Sequence, residues 1–151
     1  MSMNSKALGI IGVWRIVGWT RHQIYEALYF ASDKVIVVRT ATGFQMGWGG
    51  IDSARGWYKA KEQEESMEDF SVEELLNTDI NNFAISYDKI LKVELKKFGK
   101  GALIKITANE KKYKWTVRGI PSTKSPKIGD LERILRPIFQ EKLKITNLLK
   151  F

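Results

Sequence analysis

Cysteine is absent from this 151-residue chain, and histidine occurs once, at His22. Disulfides, thiolate zinc sites and cysteine nucleophiles are thereby excluded, and the chain suits a reducing compartment. A single imidazole cannot assemble a zinc site from the usual ligands. A serine nucleophile such as Ser32 or Ser86 would depend on that same histidine for its base. The segment Thr20-Arg21-His22-Gln23 reads as a turn, and His22 as a solvated residue within it. No catalytic residue, metal or cofactor is predicted, and the expectation is a non-enzyme. Long apolar runs are also lacking. Ala7–Val13 follows Lys6 as a signal core would, yet Arg15 interrupts it and it falls well short of the ~20 residues of a membrane span. It reads as a first strand, in a cytoplasmic chain with no transmembrane segment.

What the chain does contain is ordinary for a globular protein: 44% hydrophobic and 28% charged residues. Its length predicts a single domain, residues 1–151, with a core of its own. The formal charge of +8 is unevenly placed. Residues 1–50 hold five basic and two acidic side chains (+3), residues 51–88 three and ten (−7), and residues 89–151 seventeen and five (+12). Such asymmetry points to an anionic partner for one face, and it equally serves solubility.

The pattern is mainly β. Gly9–Trp19, Ile24–Ala31 and Val35–Thr40 read as a first meander, with Ser32-Asp33-Lys34 as a tight turn. A helical insert of about residues 41–82 follows the third strand. It opens on a glycine-rich loop, Thr42–Gly56, and continues through a charged stretch, Trp57–Asp69. Ser71-Val72-Glu73-Glu74 matches a capping box, flanked by Phe70 and Leu75 as a hydrophobic staple, and starts a short helix reaching about Thr78. Ala84–Ser86 is a brief strand. Ile90–Phe98, Ala102–Ala108 and Tyr113–Arg118 then form a second meander through turns at Phe98–Gly101 and Asn109–Lys112. Ser125-Pro126 marks a helix start, and Leu131, Ile134, Leu135, Ile138 and Ile145 form one stripe of a helix spanning about 126–147. Pro137 lies within the stripe and predicts a kink or break near Arg136.

This order resembles a pleckstrin-homology-like domain. Two segments are similar to the prokaryotic branch of that family and to GRAM-type domains: Glu26-Ala-Leu-Tyr-Phe-Ala-Ser-Asp-Lys-Val-Ile-Val-Val-Arg39, and Asn82-Phe-Ala-Ile85 through Tyr87, Ile90 and Val93-Glu94-Leu95 to Tyr113–Val117. The resemblance implies a seven-stranded, partly open barrel of two meanders capped by a C-terminal helix. It implies a binding module recruited to a protein partner or an anionic membrane surface, and a place in the cytoplasm or at the membrane periphery. Relatives that bind inositol phosphates carry a dense basic cluster on the first strands. The corresponding candidates here are Arg15, Arg21, Lys34 and Arg39.

Three further features bear on function. Gly43-Phe-Gln-Met-Gly-Trp-Gly-Gly50 lacks the Gly-Lys-Ser/Thr ending of a phosphate loop. Its Phe44 and Trp48, with Trp57 beyond, either pack across the domain's own surface or rest on a partner or membrane. The acidic run Glu62–Asp69 lacks the glycine and ligand spacing of a calcium loop and reads as a solvated helix. If Leu91, Val93 and Leu95 point inward, then Lys92, Lys96, Lys105, Lys114 and Arg118 share the opposite face. That face is either a solvated sheet surface or a docking surface for phosphates, on lipid or on nucleic acid. No aromatic residue alternates with its cations, so base stacking is not indicated. Nucleic-acid binding through this face, and an assembly role through the tryptophan-bearing insert or Leu148–Phe151, are the alternatives to a membrane or protein-recruiting module.

Overall fold

The computed structural model describes residues 7–17, 22–44, 67, 70–98, 101–109, 111–120 and 127–147. These form a mainly β fold of eight strands and two α-helices. The strands are β1 (Gly9–Val17), β2 (His22–Phe30), β3 (Lys34–Phe44), β4 (Phe83–Ser86), β5 (Ile90–Phe98), β6 (Gly101–Ala108), β7 (Lys111–Gly119) and β8 (Leu143–Asn147). The helices are α1 (Val72–Asn77) and α2 (Ile128–Phe139).

All eight strands belong to one sheet, in the order β4-β3-β2-β1-β7-β6-β5-β8. Two antiparallel meanders, β1–β4 and β5–β7, meet where β1 pairs with β7. The expected seven strands are thus eight, and the sheet is not closed into a barrel, since β4 and β8 remain its two ends.

The two meanders are buried differently. On the inner face Ile11, Val13, Leu28, Phe30, Val35 and Val37 join Val93, Leu95, Ile104, Ile106 and Trp115 in the main core. Helix α2 covers it with Leu131, Leu135 and Phe139. The outer face of the first meander is covered as well, because Ile10, Ala27, Tyr29, Ile36 and Val38 pack against Met67 and Leu75. Double burial accounts for the apolar run Ala27–Phe30 of β2, a strand in which every residue from Gln23 to Phe30 is buried, Gln23 and Glu26 included. In the second meander burial alternates strictly, as along β6, so only one face is apolar.

Helix α1 begins as its motif predicts. The Ser71 hydroxyl accepts from the Glu74 amide at 3.1 Å, and the Glu74 carboxylate accepts from the Ser71 amide at 3.3 Å. Phe70 and Leu75 both pack into the second cluster. Strand β3 runs on to Phe44, so the insert begins later than residue 41, and β2 takes in His22 as a strand residue rather than a turn residue. The glycine-rich loop beyond Phe44, the charged stretch 57–69 apart from Met67, Ser125 and Pro126 lie outside the described residues.

The C-terminal helix is shorter than predicted. It starts at Ile128, where the Asp130 carboxylate accepts from the Lys127 amide at 2.9 Å, and it does not break at Arg136. It runs through Pro137 to Phe139 and ends at Gln140, whose φ of 50° lies in the left-handed region. Leu143–Asn147 then forms β8, parallel to β5. Ile145 therefore joins the core from a strand and not from the helix stripe. The helix also passes close over β1, where a methyl group added at Gly9 would collide with Ile134.

Candidate docking face

The basic residues of the second meander are placed by the strand period. Opposite the inward Val93, Leu95, Ile104, Ile106 and Trp115, the alternate side chains face outward. One transverse row crosses four strands as Lys144, Glu94, Lys105 and Lys114. On one side of it lie Lys92, Thr107 and Lys112, and on the other Thr146, Lys96, Leu103 and Thr116. Strands in such rows lie about 4.8 Å apart, so these cations form a grid on one surface.

Four of the five predicted cations, Lys92, Lys96, Lys105 and Lys114, share this face as expected. Arg118 stands apart. It lies on the same outward side of β7 but is largely buried, and burial pushes its guanidinium down to about 10, opposed by neighbouring Tyr25. It is still a cation at neutral pH, withdrawn from the surface. Two cations were missed: Lys112, whose position reads as a turn, and Lys144, whose position reads as helix. Extending the β7 alternation back from Lys114 would have found Lys112.

Leu91 corrects the predicted inward set. The β5–β6 register shifts between Ile90 and Lys92, so Ile90 is buried while Leu91 is 59% exposed. A bulge of this kind places two successive residues against one partner and turns the extra side chain outward. Further apolar groups border the lysines. Leu103 sits half-buried between Lys96 and Thr116 across the strands, and Thr116 pairs with half-buried Trp14 of β1. Ile16, two residues beyond on the same side, is exposed.

Glu94 is the one carboxylate at the centre of the grid. Lys92 approaches it at 3.2 Å. Burial opposes its ionisation, but the Lys92 hydrogen bond and the charges of Lys92, Lys96 and Lys105 outweigh that and hold its carboxyl below the usual range. The glutamate remains ionised and neutralises part of the grid, which lets the lysines lie close together.

The candidates on the first strands are not brought together. Arg15 bonds Glu26 on the inner side through Nε to Oε1 at 2.7 Å and Nη2 to Oε2 at 3.4 Å. Trp115 Nε1 donates to the same Oε1 at 2.9 Å. Lys34 lies at the far end of the meander, level with Leu8 and some seven residues along β1 from Arg15, or roughly 23 Å. Arg39 is half-buried in β3, its amide donating to Asn82 Oδ1 at 2.7 Å. Arg21, Trp48 and Trp57 lie outside the described residues, as does the side chain of Phe44.

His22 begins β2 and Ser32 follows its end, so the strand's nine residues hold them roughly 30 Å apart. Ser86 lies opposite Lys34 at that same far end. No described helix is long and apolar enough to cross a membrane. No family model matches the chain, and neither the curated proteins nor the solved structures yield a match.

Proposed function

We propose that this chain is a non-enzymatic binding module, pleckstrin-homology-like in design, that docks on anionic membrane surfaces through the outer face of its second meander. The observation that carries the reading is the mixed character of that face. Lys92, Lys96, Lys105, Lys112, Lys114 and Lys144 surround a single carboxylate, and Leu91 and Ile16 stand exposed among or beside them. Lysines near an anionic bilayer contribute about 1 kcal/mol each, and exposed leucine and isoleucine enter the headgroup boundary. A solvated sheet would need the cations but not the exposed apolar side chains.

Sedimentation with phosphatidylcholine vesicles, with and without phosphatidylserine, tests the reading. Binding is expected only with the anionic lipid and should weaken as salt is raised. Binding indifferent to lipid charge would overturn it. So would a gel shift showing tighter binding to duplex DNA than to the anionic vesicles, which would move the face to nucleic acid.

A further inference from the structure

A second surface lies at the β4 edge of the sheet, where β4 faces the inner side of β6 and β7 rather than their lysine-bearing outer face. Strand β4 pairs with β3 alone, and its opposite edge faces a groove of about 770 Å³. Ala84, Ile85 and Ser86 line one wall, and Lys89, Lys111 and Tyr113 are among the residues that complete it.

The polarity of the edge follows from the ladder. The Tyr87 amide donates to the Asp33 carbonyl, and the Arg39 amide is directed to Asn82 on the β4 side. Odd-numbered residues of both strands therefore bond across the β3–β4 pair, with Val35 opposite Ile85 and Val37 opposite Phe83. By alternation, the N–H and C=O groups of Ala84 and Ser86 point away from β3 toward the groove. The Ser86 carbonyl is taken as the N-cap acceptor of the 3-10 turn Tyr87–Lys89, which leaves the Ala84 and Ser86 amides and the Ala84 carbonyl as the short template to which an extended chain adds as a further strand.

Native edge strands are usually guarded by charge, proline or a bulge. Phe83-Ala84-Ile85-Ser86 has no charge and no proline, and its register with β3 is regular. Its small Ala84 side chain leaves the approach open. Among the described residues, the groove lining holds two lysines, both exposed, and no carboxylate.

We propose that the β4 edge receives an extended, acidic segment of a partner protein, which adds as a strand beside Ala84 and Ser86 and sets its carboxylates against Lys89 and Lys111. Backbone bonds supply the docking and the two lysines select for acidic sequence. This surface is separate from the lysine grid, so the proposal stands or falls independently of membrane docking.

The test is an amide-resolved NMR titration of the full chain with two short extended peptides, one alternating glutamate with valine and one alternating lysine with valine. The acidic peptide should perturb Ala84, Ser86, Lys89 and Lys111 and slow hydrogen exchange at the Ala84 and Ser86 amides. The basic peptide should not. Ala84→Pro removes a donor that β3 does not use and should abolish the effect while leaving the remaining spectrum in place. Lys89→Glu with Lys111→Glu should weaken the acidic peptide at least tenfold. Equal response to both peptides, no response to either, or Ala84 and Ser86 amides already protected in the free chain would each overturn the proposal.

Discussion

Removing the Arg15 side chain should destabilise the protein more than removing the carboxylate it binds, although the two form one ion pair. The Glu26 side chain is 2% exposed and that of Arg15 34% exposed. In Glu26→Leu, the charge left behind is an arginine that already reaches solvent. Its losses are chiefly the orphaned Trp115 Nε1–H, about 1–3 kcal/mol for a buried donor without a partner. In Arg15→Met, the charge left behind is a carboxylate enclosed in the core with one neutral donor. Breaking a buried pair in that sense costs about 3–5 kcal/mol. The double variant removes both charges and should cost less than Arg15→Met alone, roughly 1–3 kcal/mol, because only the indole remains unsatisfied. Urea unfolding followed by circular dichroism would measure all four proteins, and a domain of this size should lose about 2–4 °C of Tm per kcal/mol. The reasoning fails if the two single substitutions simply add, or if Glu26→Leu proves the costlier.

Three other outcomes are expected. Gly9→Val should destabilise by about 1–3 kcal/mol, because the added carbons meet Ile134 of α2, and pairing it with Ile134→Ala should recover part of the loss in the same unfolding assay. The Glu94 carboxyl should titrate by NMR below the ordinary value of 4.5, and Lys92→Met should raise its midpoint; an unmoved midpoint would refute the role given to Lys92. Because the folded-state value is the lower one, Glu94 contributes stability above the ordinary carboxylate range, and that contribution is lost as pH falls through its folded value. Lys105→Glu changes the docking face by two charges and should weaken anionic-vesicle binding by about 2 kcal/mol, roughly thirtyfold, whereas Lys127→Glu, outside the grid at the start of α2, should matter much less.

The parts of the fold legible in the sequence are those written in local chemistry. Ser71 and Glu74 announce the start of α1 because a capping box needs only four residues. The two meanders follow from runs of alternating or β-branched residues punctuated by turns. Strand β8 was not legible. Leu143 and Ile145 suit a strand, but Ile145 also continues the helical stripe of Leu131 and Ile138, and five residues cannot separate the two periods. Gln140 conceals the boundary further, since a left-handed position after a helix is normally announced by glycine. The lysine face was readable through its period of two, save where the β5 bulge shifts the phase at Leu91. Lys144 joins the grid through pairing with a strand some fifty residues earlier, and no local pattern encodes that. Nor does local pattern reveal that Arg15 is occupied by Glu26, because burial of a carboxylate is decided by tertiary packing.

The seam between β1 and β7 has a consequence for how the chain reaches this state. Val13 and Val117 are paired across roughly 100 positions, whereas β1–β3 and β5–β7 are each joined by short connections. Closing a loop of that length carries an entropy penalty of about 4 kcal/mol before any contact offsets it. Each meander can assemble early from its own neighbours, and the molecule must then wait for two finished halves to find one register at Gly12–Trp14. Refolding is accordingly expected on the millisecond-to-second scale of long-range β proteins rather than in microseconds, readable by stopped-flow tryptophan fluorescence. The seam is thus the timer of the fold: its closure turns two neighbouring hairpin ribbons into one cooperative unit.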